Sequence, residues 1–250
     1  MRRALLWLPV VFVLAGCGAT AHRAEGRKPP SDPPLRVCKA AVVRAGRSNV
    51  AVAAIVHSSA VAYRRPGEKP FARFGRVNVN GFPTVFRVLD VVRAPNCSAR
   101  WYRVQLPIKP NGVTGFVRAS TVGTGAVRSR VVVDLSAKRL TLYRRGRPVL
   151  RAPVAVGSSA TPTPLGRYYV NQRLIPGDPG GPFGPGAVGI SAFSPVLTGW
   201  TQGGPIAIHG TNEPWSIGRA VSNGCIRLPN ATLRKLFAQT PSGTPVLIRR

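Results

Sequence analysis

Thirty-six Lys and Arg stand against seven Asp and Glu in a chain of 250 residues, a formal charge of +29 at pH 7, while 44% of the residues are hydrophobic. That apolar share belongs to a folded protein rather than a disordered basic tail, and the length suffices for one large domain or two small ones. Seven dispersed carboxylates, three His and four Cys without a C-x-x-C pair leave paired-carboxylate hydrolysis, calcium cages, magnesium clamps and zinc sites poorly provided for, so no metal and no other cofactor is expected.

Arg2 and Arg3 precede an apolar run over residues 5–15. The run is too short to span a bilayer and long enough for the core of a secretion signal. Leu14-Ala15-Gly16-Cys17 resembles a bacterial lipobox. The resemblance implies a lipoprotein signal peptide over 1–16 and a lipidated Cys17; the alternative is an ordinary signal with an incidental Cys. Two acyl chains anchor where one is marginal. The expected location is therefore extracytoplasmic, anchored to the membrane by lipid and facing the cell wall. Nucleic acid is then not an expected partner, despite the charge; anionic headgroups, wall polymers and peptide carboxylates are. Residues 17–35 read as the lipidated Cys followed by a flexible Pro-rich tether.

Three cysteines remain. Cys38 and Cys97 bracket the next region and are expected to form a disulfide, which on the chain-entropy model contributes about 4 kcal/mol. Cys225 is left over. A free thiol is a liability in an oxidising compartment unless it is used.

Residues 36–122 read as a small β-rich domain. Short runs at 50–57, 76–80, 84–92, 101–106 and 115–117 alternate with turn signals such as Arg65-Pro66-Gly67, Asn80-Gly81 and Asn111-Gly112, a spacing that suits a small barrel or sandwich. Residues 101–117, WYRVQLPIKPNGVTGFV, resemble SH3-like modules. His57 reads as packed or surface, and 122–130, with Gly123 and Gly125, reads as a linker.

Residues 128–250 read as a second, mainly β domain. Strands are expected at 130–135, 140–143 and 149–156 as an antiparallel meander, then at 166–172, 205–209 and 245–249. One helix is expected over 231–239, with Asn230 as N-cap, Leu233, Leu236 and Phe237 on one face, and Pro241 and Gly243 beyond its end. The Gly/Pro-rich segment 174–190 is either a surface loop or a shaped lid over a cleft. Trp200 and Trp215 read as packing residues.

The segment 206–228, IAIHGTNEPWSIGRAVSNGCIRL, carries the chemistry. A strand delivers His209, and Cys225 follows sixteen residues later behind Ser222-Asn223-Gly224. A thiol is mostly protonated at neutral pH; a nearby imidazole can take its proton, and cationic surroundings lower its pKa. Gly224 lets backbone approach a reacting carbonyl, and the Gly224 and Cys225 N–H groups are expected oxyanion donors. A backbone carbonyl can orient the imidazole in place of a carboxylate.

The string H-G-T-N-x-P-x-x-I-G-x-x-x-S-x-G-C-I-R resembles the signature of the YkuD-like L,D-transpeptidases, and Thr161-Pro162-Thr163-Pro164-Leu165-Gly166 also fits that family. The resemblance implies a β-sandwich catalytic domain over 128–250 and cysteine acyl transfer on peptidoglycan stem peptides. Cys225 matches the nucleophile and His209 the base. Gly210 matches the residue whose carbonyl orients the histidine, and Ser222 and Gly224 lie in the catalytic loop. Thr211, Asn212, Asn223 and Arg227 fall in the substrate-binding part of the motif. Ser222 either bonds the histidine or substrate or shapes the turn, and Arg227 either binds a stem carboxylate or braces the loop. Many members carry His at the position of Asn223. The implied reaction releases D-Ala from a tetrapeptide stem and forms a 3→3 cross-link, with a carbapenem-sensitive thiol and a monomeric enzyme expected. The alternatives are an L,D-carboxypeptidase, a non-catalytic wall-binding lipoprotein, and another cysteine enzyme such as a sortase or an NlpC/P60-like peptidase, against which the order and spacing of His and Cys speak.

Overall fold

Two eight-stranded sheets and a single α-helix make up most of the computed structural model, which describes residues 41–250. The expected signal peptide, the lipidation of Cys17, the tether and Cys38 lie outside the described residues. The first sheet holds β1 (Val42–Arg44), β2 (Ala51–Val56), β3 (Ser59–Tyr63), β4 (Pro70–Gly75), β5 (Val85–Arg93), β6 (Ala99–Gln105), β7 (Thr114–Arg118) and β8 (Val122–Val127). Its order is β4-β3-β7-β6-β5-β2-β8, with β1 also pairing β5. β5 reaches both partners because it is nine residues long: Val85–Val88 pair with β2, and Asp90–Val92 pair with β1. Phe86, Val104, Leu106 and Val117 are fully buried and form its core.

Two sequence expectations change here. The run 76–80 is not a strand; Asn78 Oδ1 accepts the N–H groups of Asn80 and Phe82 and folds it into a turn. The linker expected at 122–130 is instead β8, paired antiparallel with β2 from Ala51↔Val127 to Val56↔Val122. Its two glycines concealed a strand whose exposed middle needs no apolar side chains. Cys97 is disulfide-bonded.

The second sheet holds β9 (Ser129–Asp134), β10 (Arg139–Arg144), β11 (Arg147–Pro153), β13 (Gly166–Leu174), β14 (Ala187–Phe193), β15 (Pro205–His209), β17 (Ile226–Arg227) and β18 (Pro245–Arg249), in the order β11-β10-β9-β18-β13-β14-β15-β17. A separate pair joins β12 (Val156–Gly157) to β16 (Ala220–Ser222). Alternation builds the meander: Val131, Val133, Leu140 and Leu142 are fully buried while their neighbours face outward. β14 was invisible as a strand. Its first six residues are all buried, so the run shows no period of two, and it begins inside what reads as a Gly/Pro loop.

The helix, α1 (Asn230–Gln239), turns Leu233 and Leu236 into the same core as β13, β14 and β15. Asn230 does not cap it; its side-chain oxygen accepts the Thr211 N–H instead, and Pro229 takes the N-cap position.

The residues of both sheets belong to one compact unit. The seam between the sheets is polar and specific. The Tyr169 hydroxyl donates to the Val85 carbonyl at 3.0 Å, and Gln105 Nε2 donates to the Arg167 carbonyl at 2.7 Å. The Asn111 amide pairs with both the N–H and the carbonyl of Phe193.

Candidate active site

Register places the candidate pair. β15 and β17 run parallel, with Ile208 opposite Ile226 and His209 opposite Arg227. Residues opposite one another face the same way and faces alternate along a strand. Cys225, one residue before β17, is thus beside Ala207 and on the face of His209. The Ala207 N–H donates to the Cys225 sulfur at 3.4 Å. His209 lies two residues further along the neighbouring strand, so its Cα is about 8 Å away, a diagonal that a long side chain bridges. Among the described residues Cys225 is the free cysteine.

The turn carrying the thiol is held from within and from outside. Ser222 Oγ donates to the Cys225 carbonyl at 2.6 Å and accepts the Gly224 N–H at 3.2 Å. Gly224 sits at φ +104°, a conformation that suits glycine. Outside the turn, Thr161 Oγ1 donates to the Ser222 carbonyl and Thr163 Oγ1 to the Gly224 carbonyl, both at 2.9 Å. Thr163 also accepts the Gly157 N–H at 2.8 Å. Of the two readings of Ser222, the turn-shaping one fits: its buried hydroxyl donates and accepts inside the turn and not to the histidine. One expectation is corrected. The Gly224 N–H is engaged there too, leaving the Cys225 N–H as the candidate oxyanion donor; among the described residues it makes no hydrogen bond.

The imidazole is packed rather than solvated. His209 Nδ1 lies 2.5 Å from the Gly210 carbonyl. A carbonyl only accepts, so the proton of the neutral ring belongs on Nδ1 and the lone pair on Nε2. Gly210 has no room for a side chain: a Cβ would collide with Asn230 Oδ1 and lie 2.7 Å from Pro185 Cδ. Asn230 Oδ1 accepts the Thr211 N–H at 2.8 Å, and the Gly186 carbonyl accepts the Gly210 N–H at 3.2 Å. The segment 174–190 is therefore more than surface loop. Its Pro182–Gly186 stretch packs onto the histidine, with the Phe183 ring edge-on at 5.0 Å.

Burial governs the charges. His209 is pushed down from 6.5 to about 4, first by loss of water and further by the Arg227 charge; the carbonyls of Gly210 and Pro182 resist. Burial pushes the Cys225 thiol up, against the Ala207 N–H and the Arg227 charge. Both effects favour an uncharged resting pair, not the thiolate that composition suggested.

Arg227 forms an ion pair with Glu213, so its guanidinium braces the loop between the two halves of the motif. Thr211 is buried, and its hydroxyl accepts the Glu213 N–H at 2.9 Å. Asn212 and Asn223 are exposed. Trp200 and Trp215, expected to be packing residues, are 54% and 56% exposed, and the Arg219 guanidinium lies 5.8 Å from the centre of the Trp215 ring. The positioning roles of Thr163, Asn230 and Phe183 were not legible in sequence, because each acts across at least 19 residues of chain. Among the described residues no group of three or more His, Cys, Asp or Glu could hold a metal ion.

Residues 128–248 match the family model described as the YkuD L,D-transpeptidase catalytic domain. YkuD of Bacillus subtilis, which bears an L,D-transpeptidase name, is 42% identical over 120 residues, 48% of this chain and 65% of that protein. ErfK/SrfK of Salmonella typhimurium, named likewise, is 28% identical over 172 residues, 58% of this chain and 52% of that one. The chain thus spans less than two thirds of the length of these relatives. Among solved structures, an Enterococcus faecium L,D-transpeptidase is similar at 27% identity and a TM-score of 0.36, covering 48% of this chain and 49% of its own.

Proposed function

Since residues 128–248 match the L,D-transpeptidase catalytic domains of the YkuD family, we propose that this protein is a peptidoglycan L,D-transpeptidase working through a cysteine acyl-enzyme. The observation that carries the reading is the free Cys225 thiol on the same sheet face as a buried, carbonyl-held His209.

The first half-reaction begins from the neutral pair. As Cys225 Sγ attacks the carbonyl joining the third stem residue to D-Ala, its proton passes to His209 Nε2. The carbonyl electron pair moves to oxygen, where the Cys225 N–H receives the charge. The intermediate collapses to a thioester. D-Ala leaves as an amine, taking the proton from His209. In the second half, the side-chain amine of another stem's third residue attacks the thioester and gives its proton to His209. Sγ departs and is reprotonated from that ring, leaving a 3→3 cross-link. Water in place of the amine makes the product a trimmed stem. A monomer tethered through lipidated Cys17, with the first sheet as an SH3-like spacer, would hold this site at the wall.

The test is incubation of the full chain with disaccharide-tetrapeptide stems, read by mass. Loss of D-Ala with dimer formation is expected, and Cys225→Ala abolishes both. Trimmed monomers alone would replace the reading with a carboxypeptidase. No turnover, together with no meropenem adduct on Cys225, would leave a wall-binding protein.

A further inference from the structure

A cavity of about 760 Å³ opens between the two sheets, lined by residues of β1, β2 and β5 on one side and of β9, β13 and β18 on the other. In the second sheet these strands lie away from β15 and β17, so the cavity is separate from the thiol. Arg44, Arg47, Arg87, Arg128, Arg130 and Arg167 line it, and a seventh, Arg103, is held by Asp90 at 2.5 Å. Asp90 is the single carboxylate of the lining. Among the described residues, no carboxylate lies within ion-pair distance of the other six guanidiniums.

Arg87 is half-buried, on β5, an interior strand of the first sheet, while Arg44, Arg47, Arg128, Arg130 and Arg167 are exposed at the cleft. Loss of water, then the charges of Arg167 and Arg44, pull its pKa below the ordinary guanidinium value, so Arg87 is repelled from both sides of the seam. Gln105, opposite Arg87 on β6, ties the two walls together through the Arg167 carbonyl. Arg130 is held over the Tyr143 ring at 4.7 Å. The two walls are thus tied at Gln105, and the half-buried Arg87 faces like charges across the cleft. Such repulsion is relieved by a multiply charged anion.

We propose that this cleft binds an anion carrying two or more phosphate groups. Guanidinium forks match phosphate oxygens in bidentate geometry, and phosphate brings more charge per group than carboxylate, as six unmatched cations require. The volume is that of a small-molecule site. The inference does not depend on the reaction at Cys225.

The experiment is calorimetric titration of the full chain with sodium tripolyphosphate at constant ionic strength, with citrate as a carboxylate comparator. Saturable binding is expected, tighter for tripolyphosphate than for citrate. Arg87→Gln should weaken it by about tenfold, the loss of one charged hydrogen-bonding group, while raising the melting temperature of the anion-free protein. Arg234→Gln, the same charge change on the exposed face of α1, should leave both unchanged. If Arg87→Gln does not fold, the double variant Arg44→Gln/Arg167→Gln, at exposed positions, carries the same expectation for affinity. Equal affinity in the cleft variants and Arg234→Gln, citrate binding as tightly, or no saturable binding would each overturn the proposal.

Discussion

His209 is buried and Cys225 half-buried, and loss of hydration disfavours the charged form of each. The consequence for activity is an acid limb of kcat/KM near pH 4, where the folded ring becomes protonated and can no longer accept the thiol proton, with a flat profile up to neutral pH. A limb near 6.5, the value of an unburied imidazole, would contradict it. The same shift affects stability. The ring titrates at about 4 when folded and near 6.5 when unfolded, so between these values the unfolded chain binds more protons. Stability from this group is complete above 6.5 and is lost as pH falls to 4, by about 3 kcal/mol in total. Urea unfolding across that range should show this slope in the parent and lose it in His209→Gln. Neither effect is written in the string H-G-T-N; it requires the packing of Pro182 and Phe183 on the ring.

At the scale of elements, the turn at 222–225 is set by its neighbour as much as by its own residues. Thr163 bridges the Gly157 N–H and the Gly224 carbonyl from a buried position. Thr163→Val keeps the shape and removes both bonds, so we expect a stability loss of about 1–3 kcal/mol. We also expect a lower kcat with little change in KM, and an altered rate of Cys225 alkylation by iodoacetamide, which a purely structural defect would leave alone. The strand carrying His209 and the last strand were legible to the residue, because apolar runs between turn signals bound them. β8 and β14 were not. One is an edge strand with an exposed middle and the other is buried on both faces, and neither leaves a period of two in the sequence.

For the molecule as a whole, the two sheets are coupled by several polar contacts, of which the one at Tyr169 is buried. The Tyr169 hydroxyl is fully buried, and burial keeps it protonated as the donor to Val85. Tyr169→Phe leaves that carbonyl unsatisfied and should cost about 1–3 kcal/mol. Calorimetry should still record one transition at a lower temperature; two separated transitions would mean that the sheets unfold independently. The residue order by itself determined the class of chemistry to look for. A thiol, an imidazole and the glycines beside them stand within one short segment, where spacing along the chain is enough to pair strands and recognise a family. Tertiary structure alone decided that Ser222 is spent in its turn, that Arg227 answers Glu213, that Asn230 holds the histidine loop rather than its helix, and that six arginines share one cleft. Each of those outcomes depends on which distant atoms displace water from a group, and that is a property of packing, not of neighbours in sequence.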